Sequence, residues 1–291
     1  MKNLPVSKLL GGAKQKIQAY YNTAGGTPED LIRDGEIGIE AGFTVLKDHL
    51  PFAAQKNIET FREFRKVFGE SIGLMHDAAL VNYTFDEAVQ VGKELENLNF
   101  IWLEEPLPDR HHKDYVDLCK QLKIPVAGAE TLMNEPEISK LWLESGAIDI
   151  LRVNARHGTT PILNASKFAA QLNSTVEPNA YGPLFGIVHA HIDCGIANID
   201  WFENAPPSRG AEMGEEIGLL NPIRPVSGWV SPPSGPGWGS EWDWIQFKKK
   251  RIAGSICTSS LRFIFYIRIK KYLVFYNKIL LLLVLKMRIQ Q

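Results

Sequence analysis

Cysteine is scarce: Cys119, Cys194 and Cys257 are the only three in 291 residues, and they lie far apart. That spacing makes neither a disulfide framework nor a zinc-ligand pattern, so a reducing compartment is the default and the cytoplasm is the expected location. The opening Met1-Lys-Asn-Leu-Pro-Val-Ser-Lys has no apolar signal-peptide core. Acidic residues are missing from 251–291, which hold eight Lys/Arg. Before Arg251 there are 24 basic and 33 acidic residues, so the net charge of −1 conceals a body of −9 and a tail of +8. The tail is rich in Ile, Leu, Phe and Tyr but lacks the run of roughly 20 apolar residues that a spanning helix needs. Arg268, Lys270, Lys271 and Lys278 interrupt it. An interfacial helix with a basic face is one reading; an unselected extension, without the acids, prolines and turn signals seen upstream, is the preferred one. Neither membrane contact by the tail nor a nucleic-acid partner is expected.

What is present is an alternation. Ile17–Tyr21, Phe43–Lys47, Ile72–His76, Phe100–Leu103, Pro125–Gly128, Ile148–Leu151, Ser174–Glu177 and Ile199–Phe202 read as short apolar strands. Between them lie segments of helical period, two with clear starts: Thr27-Pro-Glu-Asp offers an N-cap and a first-turn proline, and Thr84-Phe-Asp-Glu a capping box. Strands that are apolar throughout are buried on both faces, as in a parallel sheet. Eight of them in a chain of this length predict a closed TIM-type barrel, an α/β fold. Residues 210–244 differ: rich in Gly, Pro and Trp and without helical period, they predict an ordered excursion packed on something outside the barrel.

Three of the strands end in acids. Asp77 to Glu104 is 27 residues and Glu104 to Glu130 is 26, about one βα unit each. Strand ends of such a barrel meet at its C-terminal face, where active sites lie. Three converging carboxylates suit a hard cation such as Mg²⁺, so Asp77, Glu104 and Glu130 are the expected metal ligands. Glu105 would point off the axis, as a supporting group or ion-pair acid. One unit earlier, Lys47 and His49 share a strand face. Lys47, its pKa lowered near a cation, and His49 are both candidate bases. The rhythm continues through Asn154, Asn179 and Glu203. The asparagines can hydrogen-bond a polyhydroxy or carboxylate ligand or merely cap helices. His189 and His191 fall on different faces of a helix, as packing or surface residues.

Leu4-Pro-Val-Ser-Lys-Leu-Leu-Gly-Gly, Trp102-Leu-Glu-Glu-Pro-Leu, Pro125-Val-Ala-Gly-Ala-Glu, His157-Gly-Thr-Thr and Gly235-Pro-Gly-Trp-Gly-Ser-Glu-Trp-Asp-Trp form a set. Over roughly residues 3–249 the chain resembles the barrel domain of the enolase superfamily, in its mandelate racemase/muconate lactonizing group, and most nearly the sugar-acid dehydratases. The resemblance implies a (β/α)₇β barrel, with Mg²⁺ held by Asp77, Glu104 and Glu130. It implies abstraction of the proton α to a carboxylate by a Lys or His base. Its domains would be a barrel over 1–203, a segment over 204–250 that packs with a cap in this family, and the tail over 251–291. The family's N-terminal α+β cap is absent from this reading of the chain. Three motifs depart from the family. Lys47-Asp48-His49 stands where Lys-x-Lys is common, Asp77-Ala78-Ala79 where Asp-x-Asn is usual, and Asn154 and Asn179 where many members carry an Asp–His dyad. Losing the dyad argues against a two-base racemase.

The expected activity is that of a hydro-lyase of carbohydrate-acid catabolism. Using Mg²⁺, it removes water from a small-molecule sugar acid, with Lys47 or His49 as base and Asn154, Asn179 and Glu203 binding substrate. By resemblance it is a homo-oligomer. The competing expectation is a truncated, catalytically impaired barrel that binds metal without turnover. A third, membrane attachment through the tail, predicts salt-sensitive binding to anionic liposomes.

Overall fold

A computed structural model describes residues 3–108, 110–132, 135–179, 185–205, 210–255 and 264–267. Eight strands run in parallel: β1 (Ile17–Asn22), β2 (Val45–Asp48), β3 (Gly73–Asp77), β4 (Leu103–Glu104), β5 (Val126–Gly128), β6 (Ile150–Val153), β7 (Thr175–Pro178) and β8 (Trp201–Asn204). Helix α1 (Val6–Leu9) precedes them, and one helix fills each gap: α2 (Pro28–Glu40), α3 (Ala54–Phe68), α4 (Phe85–Asn97), α5 (His112–Gln121), α6 (Pro136–Glu144), α7 (Thr159–Gln171) and α8 (Phe185–Gly195). The strands pair in the order β7-β6-β5-β4-β3-β2-β1-β8. This is the expected (β/α)₇β barrel.

Local chemistry sets the helix starts. Thr27 Oγ1 accepts from Asp30 N at 3.1 Å with Pro28 in the first turn. Thr84 and Glu87 complete the reciprocal capping box. Close contact of α2 with the sheet needs glycine: a Cβ on Gly38 would come within 2.8 Å of the Tyr21 ring.

The ladder is interrupted between β7 and β8. There the seam is closed by Val176 N donating to Asn198 O at 3.0 Å and by a side chain. The buried Glu177 carboxylate accepts from Asp200 N at 3.2 Å and Trp201 N at 3.1 Å. Burial, then the neighbouring Asp200, push the Glu177 carboxyl up to about 8.

Strand alternation separates two cores. Outward residues such as Leu46, Leu74, Leu151 and Phe202 join the helices in the main core. Inward Tyr20, Val45 and Met75, with Trp102 and Ala127, make a smaller plug inside the barrel. That plug is the floor of the site.

Residues 210–241 fold onto the barrel, in one compact unit spanning 1–241. They include a short helix, α9 (Ala211–Glu216), and β9 (Trp229–Val230). Strand β9 pairs antiparallel with the edge of β1 that β2 leaves open. Gly237 exchanges backbone hydrogen bonds with Leu4 and Val6 at 3.0 and 2.9 Å. His191 ties the same layer together, accepting from Ser7 N and bonding Trp238 O, each at 3.1 Å.

The second unit spans 242–291. It contains α10 (Trp244–Lys250) and an antiparallel pair, β10 (Arg251–Ser255) and β11 (Ile264–Ile267). Where the tail is described it is strand, not the interfacial helix considered above. Its remaining residues, 256–263 and 268–291, lie outside the described set. Among the described residues no helix is long and apolar enough to cross a membrane.

One buried carboxyl carries no partner. Asp193 of α8 is wholly buried and neither oxygen has a hydrogen bond. Burial, then Glu177, hold its carboxyl well above the usual range against the opposing Lys14 and Arg152. A folded-state pKa raised in this way costs stability once the unfolded chain ionises, near pH 4, and the cost grows until the folded group ionises too. Asp193→Asn is therefore expected to stabilise the fold by about 1–3 kcal/mol at neutral pH and to be neutral near pH 4. Denaturant unfolding at both pH values reads this directly.

Candidate active site

Above the Tyr20–Trp102 floor, whose rings meet edge to face at 5.7 Å, the next inward residue of every strand but β5 is polar or charged. They are Asn22, Lys47, Asp77, Glu104, Arg152, Glu177 and Glu203. Two cations bind three of the acids. Lys47 Nζ lies 3.2 Å from Asp77 Oδ2, 3.0 Å from Glu104 Oε2 and 3.3 Å from Glu203 Oε1, with no exposed side-chain surface. Arg152, equally enclosed, reaches Glu203 Oε2 at 2.6 Å and stands 2.7 Å from Glu104 Oε1. The second contact lies outside hydrogen-bonding geometry, leaving Glu104 Oε1 without a donor. Trp102 Nε1 donates to Glu104 Oε2 at 3.2 Å and Asn22 Nδ2 to Glu203 Oε1 at 3.0 Å.

Burial works against the charges of Lys47, Arg152 and Asp77, but the opposite charges around them outweigh it. Glu104, Glu203, Tyr20 and Asp77 hold the Lys47 ammonium well above its usual range. Lys47 and His49, with hydrogen bonds from His49 and Ala79, hold Asp77 far below that of a carboxylate. The lowered pKa expected of Lys47 supposes a bound cation; among the side chains alone the balance runs the other way. Both oxygens of Glu203 are engaged inside the cluster.

His49 occupies another position. Its side chain is 34% exposed at the barrel mouth, with Nε2 3.2 Å from Asp77 Oδ2. Burial would lower its pKa, but Asp77 raises it overall. Behind the strand, Asp48 Oδ1 takes His76 Nδ1 at 2.7 Å, His76 Nε2 meets the Tyr83 hydroxyl at 3.1 Å, and Asn57 donates to that hydroxyl. This outer chain pins the ends of β2 and β3 that carry His49 and Asp77.

Across the mouth, Glu130 N donates to Glu105 Oε1 at 2.9 Å, so Glu105 is a supporting group. Asn179 Nδ2 donates to Glu130 Oε2 and Asn154 Nδ2 to Asn179 Oδ1, both at 3.0 Å. Asn154 also caps the following turn, its Oδ1 accepting from Arg156 N at 2.8 Å, in line with the capping reading. Glu105 and Ala129 have φ of 45° and 68°, left-handed backbone that costs non-glycine residues about 1–3 kcal/mol each. The strained positions adjoin Glu104 and Glu130. His189 accepts from Ala155 N at 3.1 Å and His191 lies at the α1 junction; both pack, as expected.

Asp77, Glu104 and Glu130 stand at consecutive strand ends. Among the described residues no three acidic, histidine or cysteine side chains lie close enough to cage an ion. The donor chemistry nevertheless fits a hard cation. All donors are carboxylates, and Glu104 Oε1 is a buried oxygen without a hydrogen-bond partner. Burial, then neighbouring carboxylates, push Glu105 up to about 8, and burial pushes Glu130 up to about 7 despite Arg152.

Sequence reading missed Arg152, Asn22, Tyr20 and Trp102. Arg152 is two residues before Asn154, and the strand's alternation puts both on the inward face.

The family model described as enolase C-terminal domain-like matches residues 33–246. The chain belongs to this family. It is 30% identical over 212 residues to the arabinonate dehydratase of Saccharolobus solfataricus, covering 68% of this chain and 55% of that one. To the L-talarate/galactarate dehydratase of Salmonella typhimurium it is 31% identical over 212 residues, covering 69% and 50%. The chain therefore spans about half the length of these curated relatives. Among solved structures it is similar to D-glucarate dehydratase from Agrobacterium tumefaciens complexed with magnesium. That match has a TM-score of 0.76 and 27% identity and covers 86% of this chain and 69% of that one.

Proposed function

We propose that this enolase-family barrel removes the proton α to the carboxylate of a sugar acid and expels the β-hydroxyl as water. The observation that supports the reading is the exposed His49 imidazole set against the strand-end acids. Lys47, sealed beneath them with its ammonium shared by three carboxylates, has no path to a substrate and balances charge. With Nε2–H donating to Asp77, His49 keeps the Nδ1 lone pair as the base. The proton taken from Cα equals the proton that the departing hydroxyl needs, so one imidazole can serve both steps of a syn elimination. Asn179, partly exposed beside Glu130, offers its amide to a sugar hydroxyl at the mouth, and the buried Asn154 positions it.

Asp77, Glu104 and Glu130 would hold a divalent cation, which when bound stabilises the charge that develops on the substrate carboxylate. Glu105 fixes Glu130 through its backbone, and Glu203 fixes Lys47 and Arg152.

Loss of water leaves an enol that becomes a 2-keto-3-deoxy acid, a product that a carbonyl reagent traps. Incubating the chain and Mg²⁺ with a panel of aldonic and aldaric acids, beginning with arabinonate, galactarate and glucarate, is expected to give this product from at least one. Metal binding with no product from any acid would support the alternative of a barrel that binds without turnover.

A further inference from the structure

Lys47 and Arg152 both neutralise the buried acids, but they do so from different sides. Lys47 holds Asp77, Glu104 and Glu203 from β2. Arg152 projects inward from β6, its guanidinium 5.8 Å from the centre of the Trp102 ring. There it stands between Glu104 of β4 and Glu203 of β8 and also meets the Tyr20 hydroxyl at 3.4 Å. The Glu104 oxygen it faces, Oε1, is the one without a hydrogen-bond donor, since Oε2 is taken by Lys47 and Trp102. Any cation that Glu104 shares must therefore approach beside a fixed positive charge. A guanidinium cannot relieve this by deprotonating. In the barrel interior, screened far less than the surface, such a repulsion weighs heavily.

We infer that Arg152 is a positioning residue that sets how tightly this barrel holds a divalent cation, by pinning Glu104 and opposing the ion's charge. The inference rests on the proposed assignment of Asp77, Glu104 and Glu130 to the ion.

The test is Mn²⁺ binding to the full chain, followed by the EPR signal of free Mn²⁺, for the parent and three variants. Arg152→Gln removes the charge and is expected to tighten binding by about tenfold or more. Arg152→Lys keeps the charge and should not tighten it, which a purely structural role for the side chain does not explain. Glu104→Gln should weaken it. Unchanged or weaker binding in Arg152→Gln, with Glu104→Gln weakened, overturns the role of Arg152 alone. Unchanged binding in Glu104→Gln overturns the metal assignment beneath it. If the Arg152 variants do not fold, the parent still decides the matter through the Nε–H resonance of Arg152. Mn²⁺ should broaden that signal selectively and Mg²⁺ should shift it, and no change at saturating metal contradicts the inference.

Discussion

Replacing Lys47 with methionine is expected to cost the fold about 3–5 kcal/mol, the penalty for leaving buried charges without their partner. Three carboxylates, of Asp77, Glu104 and Glu203, lose the ammonium between them, and only Arg152 remains to hold two of the three. Surface pairs set the contrast. Lys113 and Asp117 are 2.6 Å apart, but the lysine side chain is 86% exposed, and Lys113→Met should leave stability nearly unchanged. Urea unfolding of the two variants beside the parent measures both. The pH dependence follows in sign. Lys47's raised pKa keeps its contribution intact at every pH below the ordinary lysine value, with loss only as pH climbs through the folded one. Asp77's depressed pKa makes its contribution full above the ordinary aspartate value and lost as pH falls through the folded one. The cluster is therefore expected to be insensitive to pH around neutrality and to fail in acid. A Lys47→Met chain as stable as the parent would show that the acids find other partners.

His49→Asn is expected to lower turnover about 10²–10⁴-fold, the usual contribution of a positioned general base, with little loss of stability. Asparagine keeps a donor for Asp77 but has no lone pair that is basic at neutral pH. The half-exposed position of His49 means that its removal leaves no buried charge stranded. The same substitution thus separates chemistry from folding, which no change at Lys47 can do. Turnover equal to that of the parent would place the base elsewhere.

How much of this was legible in the sequence depends on what periodicity records. Strand period and a repeat of 26–27 residues fix which side chains face inward and at what height. Hence the eight strands, the intervening helices and the acids at 77, 104 and 130 could be read directly. Periodicity does not record how completely packing seals a side chain from solvent. Lys47 and His49 share a face, yet one lies beneath the acids and the other at the mouth, and only packing against the Tyr20–Trp102 floor separates them. Arg152 was hidden for a related reason, as a lone charge within the strand Ile150–Val153. The glutamate that closes the β7–β8 seam stands in for ladder bonds, a tertiary substitution without local signal. The return of residues 210–241 to the barrel depends on backbone pairing with β1 and the N-terminal segment, which Gly- and Pro-rich composition does not announce.

Deuterium wash-in at the carbon α to the carboxylate tests the central claim most directly, because it reads proton abstraction without requiring that water leave. The chain is incubated with Mg²⁺ and the sugar-acid panel in D₂O and the α-proton signal is followed by NMR, in parallel with His49→Asn. The account predicts exchange, or deuterated keto product, in the parent for at least one acid and its loss in His49→Asn. Exchange that persists undiminished in His49→Asn, or its absence from a parent chain that binds Mg²⁺ and the acid, would contradict it.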